Sequence, residues 1–471
     1  MKFAEVTDQL LELESNLGLM DLEVAGVPFW ERIRFTVNRT LHQEVGDVGQ
    51  AHTDPGLSYG RSLYKLARNV FVANPLFAPD SDLLVWGHER RKQLEDGLWW
   101  DIYCDPVLDR LEDDWIYLER EYENGHLRPT RTETVYYLDL LKYIPLLAMQ
   151  LLRGPFTVES TMLSSSERST LGRIEDEITE RFGTSPDIQG LVASNILKRR
   201  VRRPFYRRIL RQVDPGLALV VVSYGRETFI EACQDEGVPV VELQHGELSE
   251  YHMGYHFPNG PKRHFPDYFL AFGEFWTSAA DFPIPDDRIL PVGYPYLEHR
   301  TERFPDITPE RQIVFLSQGE SGERISRIAT EFAALDNDWT VVYKLHPGEY
   351  SRWREAYPWL VDSPLRVIDS SEPSLYELFA HSTAQVGAYS TALYEGLHFD
   401  LDTYVADVPG IECIEGLIDA GGAAIVRSAE ELDGRLRSSS GNPRIDPERF
   451  FQPDAEENVL TTLREIRADH E

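Results

Sequence analysis

The sequence predicts an α/β protein in which two Rossmann-like, doubly wound domains face one another across a cleft. Short apolar runs with the length of buried strands alternate with segments that have helical apolar spacing, and many of the runs end at glycine or proline beside polar residues. A chain of 471 residues can also bury two hydrophobic cores. We therefore expect a first domain with helical additions at residues 1–296, a linker at 297–311, a second domain at 312–430 and a helical tail at 431–471.

The composition is that of an acidic globular protein. The chain carries 79 acidic and 47 basic residues, a formal charge of −32, and its cations are 7 lysines and 40 arginines. Such a lysine-poor surface suits molar salt, where the Debye length is about 3 Å and repulsion between carboxylates is screened. We therefore expect a halophilic source, an archaeon. The charge also argues against nucleic-acid binding, which needs a basic surface.

The sequence indicates a cytoplasmic location. The three cysteines are widely spaced and odd in number, so they predict neither a disulfide framework nor a Cys-x-x-Cys metal site. The N-terminus is rich in carboxylates and has no apolar segment of the kind that a signal peptide needs. No run approaches the roughly 18 consecutive apolar residues of a membrane-spanning helix.

The first half of the chain begins with helices and continues with strands. Apolar residues recur at helical spacing from Phe3 to Leu17 and again after the turn at Gly26, which predicts two helices. The segment 43–60, rich in Gly, Asp, His and Pro, is predicted to be a loop or lid. The strands predicted for this half are Ser81–His88, Trp115–Leu118, Leu217–Gly225, Val238–Gly246 and a run that begins at Asp267.

A concentrated basic stretch interrupts the acidic chain. Lys198–Arg211 has eight cations in fourteen residues. It can serve as a contact with an anionic lipid surface or with a phosphate-bearing ligand, and it can equally be paired with the many carboxylates of the protein itself. The sequence leaves these alternatives open.

A second series of strands and helices follows a segment, Ile289–Glu298, whose Pro/Gly rhythm is typical of an interdomain linker. Its predicted helices lie at Gly322–Leu335, near Ser351–Tyr357, at Ser374–Ala380 and from Thr391 onward. Its predicted strands are Gln312–Gly319, Trp339–His346, Leu365–Ile368, Ala384–Tyr389, Asp402–Ala406 and Ala423–Val426.

Polar side chains stand where several of these strands end. In the second series a cation and an imidazole, Lys344 and His346, follow one strand, and two hydroxyls, Ser390 and Thr391, follow another and can cap a helix. Cations, hydroxyls and a helix N-terminus at neighbouring strand ends predict a phosphate site. In the first series the strand Val238–Gly246 ends in Gln244, His245 and Gly246, followed by Glu247.

These motifs, in this order, resemble those of the capsule-polysaccharide type of GT-B glycosyltransferase. Related families are the Kdo transferases, the bacterial sialyl- and polysialyltransferases and the teichoic-acid glycerophosphotransferases. The motifs that carry the resemblance are QHG at Gln244–Gly246, KLHP at Lys344–Pro347 and the Ser-Thr helix start at Ser390. The resemblance covers roughly residues 217–426, and the first 150 residues share only a rhythm of strands and helices.

The resemblance implies roles for particular residues. His346, Ser390 and Thr391 would hold the phosphates of a nucleotide-linked donor, and Lys344 would add a charge. The candidate donor-binding residues are Gln318, Gly319, Lys344, His346, Ser390, Thr391 and Glu395, the last as a ribose contact or as a carboxylate near a helix N-terminus. His245 is the candidate general base, with Glu247 second, and a structural histidine is the alternative for His245.

The implied partners are a nucleotide-sugar donor, a glycan or lipid-linked acceptor and, through Lys198–Arg211, the inner face of the cell membrane. The loop His88–Trp100 is expected to contact the acceptor. No cofactor is expected, and no Asp-x-Asp motif stands at a matching strand end, as in metal-independent enzymes of this type. Two other functions fit the same pattern: a sugar-nucleotide epimerase of similar fold, and a scaffold in a glycan pathway that binds without catalysis.

Overall fold

The computed structural model describes residues 1–46, 72–122, 125–151, 157–305, 307–319, 321–438 and 445–470. In the predicted loop or lid, residues 43–45 end a helix, and residues 47–60 lie outside the described part of the chain. The described helices are α1 (Phe3–Leu17), α2 (Trp30–Val45), α3 (Asp105–Leu108), α4 (Asp139–Leu151), α5 (Val158–Met162), α6 (Ser165–Phe182), α7 (Ile188–Val213), α8 (Glu227–Glu236), α9 (Pro295–Thr301), α10 (Gly322–Ala334), α11 (Trp353–Ala356), α12 (Leu375–Ala380), α13 (Thr391–Leu397), α14 (Glu415–Asp419), α15 (Ala429–Arg437) and α16 (Ala455–His470).

A parallel sheet of seven strands forms the centre of the first domain. Its strands are β1 (Leu83–Trp86), β2 (Trp115–Glu119), β3 (Val135–Tyr137), β4 (Leu217–Val221), β5 (Val240–Leu243), β6 (Tyr268–Ala271) and β7 (Ile289–Pro291). They are ordered β3–β2–β1–β4–β5–β6–β7 across the sheet. Every residue of β4 and β5 is buried, because helices cover both faces of a parallel sheet.

A parallel sheet of six strands forms the centre of the second domain. Its strands are β8 (Gln312–Leu316), β9 (Thr340–Lys344), β10 (Arg366–Ile368), β11 (Ala384–Gly387), β12 (Asp402–Ala406) and β13 (Ala424–Val426). Their order is β10–β9–β8–β11–β12–β13. Both sheets are therefore doubly wound, with the reversal of strand order between β1 and β4 in one and between β8 and β11 in the other. The predicted fold class, two Rossmann-like domains that face across a cleft, is confirmed.

The segment Ile289–Glu298 differs from the interdomain linker that its Pro/Gly rhythm predicts. Residues 289–291 pair in parallel with residues 269–271 and form the edge strand β7, and Pro295 begins α9. An edge position tolerates a proline that cannot donate to the ladder on its open side, and proline is also favoured in the first turn of a helix. Helix α9 occupies the first part of the predicted linker at 297–311.

Apolar contacts join the two domains beside the cleft. The ring of Trp276, from the first domain, lies 4.6 Å from that of Tyr394 in α13, and its indole N–H donates to the carbonyl of Phe450 at 2.8 Å. The C-terminal helix α16 then packs Val459 and Leu463 into the core beneath β1 and β4 of the first domain. The chain thus crosses between the domains twice.

Candidate active site

Three loops at the carboxyl edge of the second sheet provide one side of the candidate site. They carry, in chain order, Gln318 and Gly319 after β8, His346 after β9, and Ser390 and Thr391 after β11. The Gln318 amide bridges the reversal point, since it donates to the carbonyl of Tyr389 and accepts from the Tyr389 backbone N–H, both at 3.3 Å. A side chain at Gly319 would meet only the Arg352 guanidinium within 4 Å, at 3.9 Å. The backbone of this loop is therefore open to a ligand.

His346 is held rigidly at the end of β9. Its Nδ1 lies 3.2 Å from the backbone N–H of Gly348, and the backbone N–H of His346 donates to the Glu349 carboxylate at 3.0 Å. The buried Glu349 is fixed in turn by the Tyr357 hydroxyl at 2.5 Å. Burial and the neighbouring Arg90 cation lower the pKa of His346, although Glu349 opposes them. The neutral ring is therefore favoured, and both of its nitrogens face donors, Nδ1 the N–H of Gly348 and Nε2 the guanidinium of Arg90.

The side chain of Lys344 contacts the neighbouring loop of the second domain. Its ammonium donates to the carbonyls of Ser370 and Pro373, at 2.6 and 3.1 Å, in the loop that follows β10. Burial lowers the pKa of Lys344 to about 8, and Glu372 partly offsets that effect. The lysine thus shares the sheet edge with His346 and is used to hold the neighbouring loop. A donor phosphate would have to displace one of these contacts to reach it.

Helix α13 begins as the sequence predicts, but its two hydroxyls have different partners. Ser390 is the N-cap and accepts the N–H of Ala392 at 3.3 Å. Thr391 accepts the backbone N–H of Glu247, from the first domain, at 2.8 Å. This hydrogen bond joins the two sheet edges, so the Thr391 hydroxyl is a contact between domains in this structure.

Glu395 lies one turn into the same helix and is 8% exposed. Burial raises the pKa of its carboxyl group, and the ammonium of Lys92, which faces it from the first domain, counteracts that effect. Tyr103 and Tyr376 lie close enough to interact electrostatically with the carboxyl group. Glu395 therefore faces the space between the domains, where a ribose could reach it.

His245, which follows β5, belongs to a network of hydrogen bonds in the first domain. Its Nδ1 lies 3.2 Å from the hydroxyl of Tyr255, and this hydroxyl donates a hydrogen bond to Glu242 at 2.5 Å. The same Glu242 oxygen also accepts the N–H of Ser223 at 2.8 Å. Because the Tyr255 hydroxyl donates to Glu242, its oxygen accepts from Nδ1–H of His245, and the lone pair on Nε2 then faces the hydroxyl of Tyr224 at 3.4 Å. Burial, His252 and His88 hold the pKa of His245 well below 6.5.

Glu247 fits the role of a base less well than His245. Burial raises the pKa of its carboxyl group to about 8, so it carries a proton at neutral pH. Its Oε1 is buried without a hydrogen-bond partner. The side chain interacts with Tyr394 and Cys413 of the second domain. A protonated carboxyl group cannot remove a proton from a hydroxyl, and its position indicates a contact between the domains.

The loop that follows β1 crosses the cleft and touches both halves of the site. The His88 ring lies 6.2 Å from that of His245, and Nη2 of Arg90 lies 2.9 Å from Nε2 of His346. Lys92, in the two-stranded ribbon Lys92–Gln93 and Trp99–Trp100, faces Glu395. The structure thus brings His245 and His346 to opposite sides of a single loop, with Tyr103 donating to the His245 carbonyl at 2.6 Å.

Sequence reasoning missed the residues of the first domain that complete this arrangement. The loop His88–Trp100 was predicted to lie at the sheet edge as an acceptor contact, and the contacts of its Arg90 and Lys92 with the second domain were not predicted. The roles of Glu242 and Tyr255 have a sequence signal, because a carboxylate inside a buried strand needs a partner. The partner of Glu242 is thirteen residues away, and only the fold brings the two together.

The basic stretch Lys198–Arg211 lies in α7, and four of its arginines are paired within the protein. Arg199, Arg203, Arg207 and Arg211 bind the carboxylates Glu231, Asp235 and Glu236 of α8. Among the described residues, no carboxylate forms a salt bridge with Lys198, Arg200 or Arg208. Across all the residues that the structure describes, no helix is both long enough and apolar enough to cross a bilayer.

No protein-family model matches the sequence, and no curated protein matches it at a significant level. Similar solved structures include the UDP-GlcNAc 2-epimerase of Methanocaldococcus jannaschii in complex with UDP-GlcNAc and UDP, at 11% identity and a TM-score of 0.46, over 81% of this chain and 99% of that one. The wall teichoic acid polymerase TagF has 10% identity and a TM-score of 0.43, over 88% and 99%. Spinosyn rhamnosyltransferase SpnG, with spinosyn aglycone, has 13% identity and a TM-score of 0.40, over 83% and 94%. At these TM-scores, the function has to be argued from the site itself.

Proposed function

We propose that this protein is a metal-independent glycosyltransferase. It would move a sugar from a nucleotide-linked donor, a CMP-sugar or another nucleotide sugar, to a hydroxyl of a glycan or lipid-linked acceptor, in the assembly of surface polysaccharide or protein glycans. The observation that carries the proposal is a pair of histidines on opposite sides of the loop at residues 88–90. Nε2 of His245 lies 3.4 Å from the Tyr224 hydroxyl on one side, and Nε2 of His346 lies 2.9 Å from Arg90 on the other.

His245 has the geometry of a general base. In a direct displacement, the acceptor oxygen attacks the anomeric carbon and gives its proton to Nε2 of His245. In the resulting imidazolium, Nδ1–H still donates a hydrogen bond to the Tyr255 oxygen, and the Tyr255 hydroxyl still donates a hydrogen bond to Glu242. The carboxylate thus stabilises the positive charge through one hydroxyl, as the third member of a catalytic triad does.

The second domain is suited to the leaving group. As the bond from the anomeric carbon to the phosphate oxygen breaks, the nucleoside phosphate takes both electrons and gains negative charge. The imidazole of His346 and the open backbone at Gly319 can donate to phosphate oxygens, and Glu395 can accept from the ribose. Fixed donors aimed at developing charge are the largest contribution that many enzymes make to catalysis.

The reaction is placed in the cytoplasm, at the inner face of the cell membrane. The cations Lys198, Arg200 and Arg208 of α7, which form no salt bridge in the described chain, would contact anionic lipid there. Co-sedimentation with vesicles that contain anionic lipid tests this placement. The double variant Arg200→Gln/Arg208→Gln should bind less, and equal binding by the variant and the parent would contradict the membrane contact.

A sugar-nucleotide epimerase is the second candidate function, and it would use the same two domains. The two enzymes differ in what they release. A panel of nucleotide sugars, first screened by thermal shift in molar KCl, should identify a donor, and free nucleotide should then appear only when an acceptor is added. Release of nucleotide or formation of an isomeric sugar without acceptor would favour the epimerase. Absence of any nucleotide binding would favour the scaffold.

A further inference from the structure

Both ring nitrogens of His346 face a hydrogen-bond donor. Nδ1 lies 3.2 Å from the backbone N–H of Gly348, and Nε2 lies 2.9 Å from Nη2 of Arg90 across the cleft. A guanidinium has donors only, and a neutral imidazole has one acceptor nitrogen. The ring can therefore accept from only one of the two, and the other donor lacks an acceptor.

The surroundings of Arg90 supply no such acceptor. In a chain with 79 acidic residues, no carboxylate among the described residues forms a salt bridge with Arg90. The arginines near it, by contrast, have carboxylate partners. Arg91 binds Glu119 at 2.8 Å and is buried, and Arg300 binds Glu95. Arg90 is exposed and has no carboxylate partner among the described residues, so its guanidinium is available to an anion that binds beside His346.

Arg90 is also held in place before any ligand arrives. Its backbone N–H donates to Nδ1 of His88 at 3.1 Å, and the following Arg91 anchors the loop in the core. At the far end of the ribbon, Arg300 donates to the Glu95 carboxylate, and Arg303 donates to it at 2.8 Å. The backbone of the loop is therefore held on both sides of Arg90, and less backbone entropy is lost when a ligand binds there.

We propose that Arg90 and His346 form a phosphate site shared between the two domains, in which one phosphate oxygen of the nucleotide donor accepts a hydrogen bond from each. The proposal rests on the proposed function and adds a residue that touches the donor. Arg90, on the first domain, then stabilises the leaving phosphate together with His346, on the second. Because the two donors come from different domains, a bound nucleoside phosphate bridges the two domains.

The variant Arg90→Gln tests the shared site, with CMP, CDP and UDP as phosphate-bearing probes and cytidine and uridine as probes without phosphate. Isothermal titration in molar KCl should show nucleotide affinity about 10- to 100-fold lower than in the parent, because a hydrogen bond to a charged group is lost. Nucleoside binding should not change. Arg110→Gln is the matched control, since Arg110 pairs with Glu456 of α16 and should leave nucleotide affinity unchanged.

A double-variant cycle separates a shared site from independent contacts. If Arg90 and His346 hold the same oxygen, Arg90→Gln/His346→Ala should weaken nucleotide binding by less than the product of the two single effects. Removal of the Arg90 cation should also raise the pKa of His346, as measured by NMR titration of the imidazole. Unchanged nucleotide affinity in a folded Arg90→Gln variant would overturn the shared site and leave the proposed function standing. A parent protein that binds no nucleotide would overturn the proposed function itself.

Discussion

At the scale of single residues, the chain from Glu242 through Tyr255 to His245 decides what the first domain can do. Glu242 is fully buried, and burial raises the pKa of its carboxyl group while hydrogen bonds from Tyr255 and Ser223 lower it. Both hydrogen bonds end on Oε1, whereas Oε2 is buried without a partner among the described residues, and the pKa of the carboxyl group is raised overall. Glu242 fixes the tautomer of His245.

His245→Ala should leave nucleotide affinity nearly intact and lower turnover by about a hundredfold or more, because proton removal matters only in the transition state. In the parent protein, the base is lost only when Nε2 is protonated. Since the pKa of His245 lies well below 6.5, activity should persist below pH 6.5 and fall as the pH drops through that lowered value. The pH dependence of kcat/KM measures this. A loss of activity that begins above pH 6.5 would contradict the assignment.

Glu247→Gln should stabilise the protein at neutral and alkaline pH. The folded state keeps the proton up to a pKa of about 8, whereas the unfolded state loses it near 4.5, so the parent loses stability as pH rises from 4.5 to 8. The amide cannot ionise, and the free energy of unfolding should rise by about 1–3 kcal/mol at pH 8 and by little at pH 4. Urea denaturation at both pH values measures the difference.

The exposed Glu250, on the same loop, provides the control for Glu247. Glu250→Gln should change the free energy of unfolding by similar, small amounts at both pH values. A Glu247→Gln variant with the same pH dependence as the parent would show that this carboxyl group titrates normally.

At the scale of secondary-structure elements, one carboxylate joins three helices. Glu231 of α8 binds Arg32 of α2 at 3.0 Å and also Arg199 and Arg203 of α7. Burial alone would raise the pKa of Glu231, but Arg199 and Arg32 lower it below its usual value. The Arg32 side chain is only 1% exposed, so its charge depends on this partner and on Glu31 at 3.9 Å.

Glu231→Gln should therefore destabilise the first domain by about 3 kcal/mol, because it leaves a buried guanidinium short of compensation. Asp235→Asn is the matched control. Within the described residues, the salt bridges of Asp235 are with the more exposed Arg203 and Arg207, so its loss should cost less than about 1 kcal/mol. Urea denaturation in molar KCl compares the two. Equal effects of the two variants would contradict a special role for Glu231.

The elements of the second domain were predicted from sequence to within a few residues. Their strands are continuous apolar runs between glycines, prolines and polar residues, and such runs have few alternatives to a buried parallel strand. The basic stretch of α7 was left undecided. A signal existed, since the carboxylates at 231 and 235 repeat at the same four-residue spacing as the arginines at 199, 203 and 207, but the packing of α7 on α8 had to be known first.

The site was predictable only in part, for a related reason. The residues of single strand ends, such as His245 and His346, follow from the local pattern. The contact between Arg90 and His346 joins positions 256 residues apart and depends on how the two domains meet. The direction of Lys344 likewise depends on the loop after β10. Side-chain direction at a strand end is set by tertiary contacts, which a local pattern does not contain.

At the scale of the whole molecule, the formal charge of −32 makes stability depend on salt. Self-repulsion destabilises the compact state unless salt screens it, and we expect loss of structure below roughly 0.5 M KCl. Circular dichroism melts over a series of KCl concentrations should show Tm falling as salt is removed. A sucrose solution of equal osmolality should not replace the salt. An unchanged Tm on dialysis into low salt would contradict the halophilic prediction.

The central claim is that the cleft between the two domains binds the phosphate of a nucleotide sugar through His346. The measurement that tests it most directly is the affinity of the parent protein and of His346→Ala for the donor nucleotide, by isothermal titration in molar KCl. Loss of a hydrogen bond to a charged group, worth about 1.5–3 kcal/mol, predicts an affinity lower by about one to two orders of magnitude in a variant that melts like the parent. Equal affinity in the two proteins would contradict the claim.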